Sequence, residues 1–105
     1  MNTDHLFDPE IHRVTRFEIV DDYIIRVTFD DHTEQIIDFE PVLTGPIFGP
    51  LKDKNLFDQV TLVKTFGTLE WPNGADISPV VLYNWPKHVN SIIVRRQQET
   101  ALTLP

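Results

Sequence analysis

The chain contains no cysteine. Disulfides, thiolate catalysis and cysteine-ligated zinc are therefore excluded, and a reducing cytoplasm suits such a chain. Serine is nearly as scarce, with only Ser78 and Ser91. No G-x-S-x-G elbow surrounds either, so serine-type hydrolysis is not expected. The four glycines, Gly45, Gly49, Gly67 and Gly74, are dispersed. They form neither G-x-G-x-x-G nor a P-loop, which removes nucleotide binding through those motifs. No apolar run approaches the roughly 18 residues that span a bilayer. Met1–Asp8 has neither a basic start nor an apolar stretch, so no secretory signal is expected. Repeats and low-complexity tracts are absent too.

Positive charge is also in short supply, with 9 Lys and Arg against 16 Asp and Glu. Residues 1–86 hold six of the basic residues and fifteen of the acidic ones, a net −9. Residues 87–105 hold Lys87, Arg95 and Arg96 against Glu99, a net +2. An acidic body repels phosphate, so nucleic-acid binding by this chain alone is disfavoured. It favours a basic protein partner by electrostatic steering. The plainer reading is that net charge keeps a small domain soluble.

What is present is an ordinary globular composition, 41% hydrophobic and 24% charged, in 105 residues. One domain with a modest core follows. Residues 1–12 read as a loose leader, 13–86 as the domain and 87–105 as a tail. Arg13–Val20 predicts a strand with Phe17 and Ile19 on one face. Tyr23–Phe29 alternates with a period of two, placing Ile25, Val27 and Phe29 together. Glu34–Phe39 places Ile37 beside Phe39. The acidic turns between these runs are short, so the three strands form an antiparallel meander. Pro41 suits a short helical turn ending near Gly45. Asp53 can cap a short helix to about Gln59. Val60–Phe66 and Thr68–Trp71 read as a second hairpin turning at Gly67. Ser78 is a good N-cap and Pro79 a good first helical residue, for a helix that ends near Pro86. The fold class is α+β: a meander, a short helix, a second hairpin and a short C-terminal helix packed on the sheet. Ser91–Val94 reads as an extra edge strand or a partner-binding segment.

No side-chain constellation announces chemistry. His5, His12, His32 and His88 are scattered without metal-ligand spacing, so neither a metal nor a cofactor is expected. Asp38, Glu70 and Asp76 could line a pocket near Trp71 and act as paired acids and bases. Each also has a structural role available. Asp76 can bond nearby backbone amides, and Asp38 can cap the turn after it. Trp71 and Tyr83 suit the core. Trp85, at a helix end before Pro86, is the better interface residue. With Ile92, Val94, Arg95 and Arg96 it makes the candidate partner-binding set.

Several of these stretches occur together in one pattern: Ile37-Asp38-Phe39, Pro41-Val42-Leu43, Leu51 with Phe57, Gly67-Thr68-Leu69-Glu70-Trp71-Pro72-Asn73-Gly74-Ala75-Asp76-Ile77-Ser78-Pro79, and Leu82-Tyr83. Over about residues 14–84 the chain resembles the bacterial family known as domain of unknown function 2442. The resemblance implies a compact antiparallel α+β fold and no known activity. Relatives are often encoded beside another small protein, an arrangement like toxin–antitoxin pairs. It implies a partner-binding, antitoxin-like or regulatory module, with a homo-oligomeric structural domain as the alternative. A small-molecule or enzymatic role for the carboxylates near Trp71 is a third reading. Three departures stand out, one being that residues 1–12 lie outside the resemblance. The second hairpin turn has Asp31-His32 where the family often has Asp-Gly, which calls for a longer turn. The helix-turn-helix domain that follows in some relatives has no counterpart after Tyr83, so DNA binding is not carried over.

Overall fold

The computed structural model describes residues 12–103, with side chains to residue 95. Of the predicted leader at residues 1–12, all but His12 lies outside the described residues. Two three-stranded antiparallel sheets stand with short helices between and after them. β1 (Val14–Asp21), β2 (Ile24–Phe29) and β3 (Glu34–Asp38) form the predicted meander. In its register Phe17 faces Val27, Ile19 faces Ile25, and Ile25 faces Ile37. Ile25, Val27, Phe29, Ile37 and Phe39 are fully buried, so the period-two reading of the faces holds. A bulge between Val14 and Arg16 brings Val14 onto the core face as well.

A 3-10 turn (Glu40–Val42), α1 (Gly45–Phe48), a second 3-10 turn (Gly49–Lys52) and α2 (Lys54–Phe57) link the sheets. Asp53 caps α2 as expected, its carboxylate accepting from the Asn55 N–H at 3.0 Å. β4 (Thr61–Val63), β5 (Thr68–Glu70) and the two-residue β6 (Asp76–Ile77) make the second sheet. The hairpin of β4 and β5 matches the prediction, whereas β6 adds a strand that the alternation of so short a segment does not signal. At Gly67, φ is +66°, and a Cβ there would come within 2.5 Å of the Arg13 Cβ. That glycine permits both the turn and the approach of β1, whose Val14 N–H donates to the Gly67 carbonyl at 3.2 Å.

α3 (Pro79–Tyr83) begins at Ser78, whose hydroxyl accepts from the Val81 N–H at 3.4 Å. α3 matches the prediction, which fails beyond it. Residues Trp85–Thr103 form α4, a helix of 19 residues, and Ser91–Val94 lie within it rather than in an edge strand. The predicted helix does stop near Pro86, at Tyr83, but Pro86 itself lies in the next helix. It sits in the first turn of α4, where its missing N–H is not needed. The β-branched run of Ile92, Ile93 and Val94 favours a strand by propensity. Burial decides otherwise. Trp85, Val89, Ile92 and Ile93 recur at helical spacing, and all four pack against the core.

Among the described residues, two other than glycine hold positive φ, Tyr23 at +61° and His32 at +71°. His32 is exposed in the turn between β2 and β3, and replacing it with glycine relieves a left-handed backbone. Tyr23 anchors its own strain, because its hydroxyl donates to the Lys52 carbonyl and its ring meets Phe57 edge-on at 5.3 Å. Urea denaturation should therefore show His32→Gly stabilising by about 0.5–1 kcal/mol. The same change at Tyr23 should destabilise by about 2–3 kcal/mol.

Candidate functional site

The long signature of the sequence, residues 67–79, wraps a buried aromatic cluster centred on Trp71. Trp71 is 2% exposed. Its indole N–H donates to the Phe57 carbonyl at 2.9 Å. Phe39, Phe48 and Phe57 surround the ring with centroids at 5.9, 6.2 and 5.6 Å. Trp71 is thus core, with its one polar atom satisfied. The turn after it is closed by Gly74 N–H to the Trp71 carbonyl at 3.0 Å and Trp71 N–H to the Ala75 carbonyl at 2.8 Å. Asn73, rather than Asp76, ties this turn down. Its carboxamide oxygen accepts from the Ala75 N–H at 3.2 Å, and its NH₂ donates to the Ile47 carbonyl at 2.8 Å. Asparagine can do both because it carries a donor and an acceptor, whereas an ionised aspartate only accepts.

The three singled-out carboxylates part company. Asp38 ends β3 and accepts from the Glu40 N–H at 3.0 Å, which is the capping role open to it. Glu70 and Asp76 lie directly opposite one another across β5 and β6. Both are exposed, on the face away from Leu69 and Ile77. Two of the three therefore do converge, but on an open sheet face, with the Trp71 ring buried beneath.

The candidate partner-binding residues divide as well. Trp85 is 7% exposed and packs on Phe39 at 5.3 Å, so the expectation of an interface tryptophan is corrected: it is core. Its place before a proline suggested a helix end, yet that proline starts α4. Ile92 is half-buried, while Val94 is 49% exposed and Arg95 is exposed. Ile92 and Arg95 border a groove of about 330 Å³ with Phe48, Asp76, Val81 and Trp85. The Arg96 side chain lies outside the described residues.

A further cluster escaped the sequence reading. Asp31, in the turn between β2 and β3, accepts from the Thr33 hydroxyl at 2.6 Å and the Thr33 N–H at 3.0 Å. Its other oxygen accepts from the Tyr83 hydroxyl at 2.6 Å. His12 stacks on the Tyr83 ring at 4.5 Å and places Nδ1 2.9 Å from Asp30. His12, Asp30 and Asp31 offer ligand atoms within 4.8 Å of one another. Asp31 already accepts three hydrogen bonds, so the group works as a clasp joining residue 12, the hairpin and α3. The only local signal was Asp-x-Thr, a turn motif. Nothing in the sequence pairs Asp31 with a tyrosine 52 residues away. The Thr33 and Tyr83 hydroxyls, with help from His12, draw the Asp31 carboxyl from 3.8 down to about 2. Asp31 in turn raises the Tyr83 phenol above its ordinary 10.0.

With this geometry in view, the comparisons with known proteins are brief. The family described as "Protein of unknown function (DUF2442)" matches residues 14–88, and the chain belongs to that family. No curated protein and no solved structure matches it significantly. The family match stops within α4, leaving residues 89–103 of that helix beyond it.

Two substitutions probe these assignments. Trp71→Phe removes one of the two donors to the Phe57 carbonyl and opens a void, and should cost about 2–4 kcal/mol in urea denaturation. Asp31→Asn removes the clasp's acceptor charge. The folded-state value of Asp31 lies below its ordinary one, so the clasp stabilises above about pH 4 and is lost as pH falls through about 2. The gap in urea midpoint between the native chain and Asp31→Asn should therefore be full at pH 7 and close as pH falls through that window. A gap that stays constant down to pH 2 would contradict the clasp.

Proposed function

We propose that this chain is a non-catalytic, intracellular protein-interaction module, antitoxin-like in binding a small protein encoded beside it, with α4 as the contact element. One observation carries the reading. Ile92, Ile93 and Val94 are consecutive on a helix, so they fan out over about 200° of its circumference. The body of this domain covers only part of that arc. Ile92 and Ile93 pack on the core, and Val94 is left at 49% exposure with Arg95 beside it. An exposed apolar residue flanked by an arginine on a rigid helix is the composition of an interface anchor. The family resemblance supplies the kind of partner, and the absence of catalytic motifs in the sequence agrees with a binding role. No helix among the described residues is long and apolar enough to cross a membrane.

The test is co-expression with the product of the adjacent gene, followed by gel filtration at micromolar concentration. A joint peak is expected, and separate elution of the two proteins overturns the reading. Val94→Asp with Arg95→Glu should split the joint peak while leaving the melting temperature of the isolated chain within about 2 °C, since both side chains are surface positions. Light scattering on the isolated chain addresses the alternative. A concentration-independent monomer counts against a homo-oligomer built on the same helix face.

A further inference from the structure

The outer faces of the two sheets treat charge in opposite ways. On the first, charges of opposite sign are set side by side: Arg26 pairs with Glu18 at 2.7 Å, and Arg16 lies 4.0 Å from Glu34. On the second, Glu70 and Asp76 occupy facing positions on β5 and β6. Among the described residues neither carboxylate is in an ion pair, and neither accepts a hydrogen bond. Like charges directly opposite on a sheet are destabilising, and the fold does nothing locally to offset the repulsion. Arg95, across the groove beneath α4 that Asp76 also borders, does not come within ion-pair distance.

Beside this pair lies the most exposed large apolar side chain described. Phe66, at the tip of the β4–β5 hairpin, is 68% exposed. It lines an open hollow of about 510 Å³ with Val63, Thr68, Glu70, Asp76 and Pro79. An aromatic face next to two unpaired carboxylates suits a planar cation. A guanidinium can donate to both carboxylates while resting its flat face on the ring. A lysine ammonium fills only part of that arrangement, and an anion is repelled.

We propose that Phe66, Glu70 and Asp76 form a docking cleft for an arginine side chain presented by a basic segment of a partner protein. The cleft is a second contact surface, distinct from Val94 and Arg95 on α4. It supplies a use for the carboxylates of the family signature that the packing of that signature leaves unexplained. Arginine binding there relieves the Glu70–Asp76 repulsion, so affinity and stability are linked through the same two groups.

The experiment is fluorescence anisotropy of a labelled oligoarginine peptide titrated with the full chain, at low and at physiological ionic strength. Glu70→Gln with Asp76→Asn should weaken binding about tenfold. Because an acidic protein attracts such a peptide everywhere, the reference is Asp22→Asn with Glu40→Gln. That variant removes the same net charge elsewhere and should change binding less than about twofold. Phe66→Ala should weaken binding about threefold or more. An oligolysine peptide of equal length should bind the native chain more weakly and respond less to Phe66→Ala. The Glu70→Gln, Asp76→Asn variant should also melt at a higher temperature than the native chain, since the like-charge pair is gone. Equal weakening by the two charge-removing variants, or no effect of Phe66→Ala, overturns the cleft. The Val94→Asp, Arg95→Glu variant adds negative charge, so it should bind oligoarginine at least as tightly as the native chain and still weaken on Phe66→Ala. Loss of the joint peak in gel filtration and loss of peptide binding can therefore be told apart.

Discussion

Everything in this fold converges on the indole of Trp71. Its ring meets Phe39 from the end of the first sheet, Phe48 from α1 and Phe57 from α2. Its N–H donates to the Phe57 carbonyl, which also accepts from the Val60 N–H, so the ring's one polar atom is satisfied inside the core. Phe39 extends the contact to Trp85 in α4. Two small three-stranded sheets thereby share one core. The constraint also explains why the signature is long and yet chemically quiet. Its residues turn the chain on both sides of a tryptophan that must sit at one depth and in one orientation.

That orientation depends on turns that repeat one design. Residues 71–75 and residues 29–33 close with the same pair of backbone bonds, a tight bond across four residues followed by a wider one. Each needs a left-handed residue in the fourth position, filled by Gly74 in one and by His32 in the other. Such a turn adds a residue to the hairpin and strengthens its twist. The Asp31–Thr33 and Asn73–Ala75 bonds then stiffen the two loops from within. From the first loop, Asp31 reaches Tyr83 and holds the end of α3 against the meander.

Around this frame the surface is asymmetric. The first sheet sets opposite charges side by side, whereas the second opposes two carboxylates beside an exposed phenylalanine. α4 carries Lys87 and Arg95, and among its described side chains Val94 is the large apolar one left exposed. These are the places where local stability is not maximised. Natural sequences tend to break their own packing rules where they meet something else.

Much of this was open to reading from the sequence, because the signals were local. The alternation in β2, the caps at Asp53 and Ser78, the turn at Gly67 and the shared faces of Ile25, Val27 and Phe29 each rest on spacing or on one residue's backbone preference. The family signature carried the rest of the fold class. Only the tertiary structure decided three matters. Ile92, Ile93 and Val94 favour a strand by themselves, and become helical because Trp85, Val89, Ile92 and Ile93 gain a core to cover. Trp85 is buried because Phe39, distant in sequence, is there to receive it. Glu70 faces Asp76, and Asp31 meets Tyr83, because strand register and helix placement bring together residues whose separation along the chain says nothing about their distance in space.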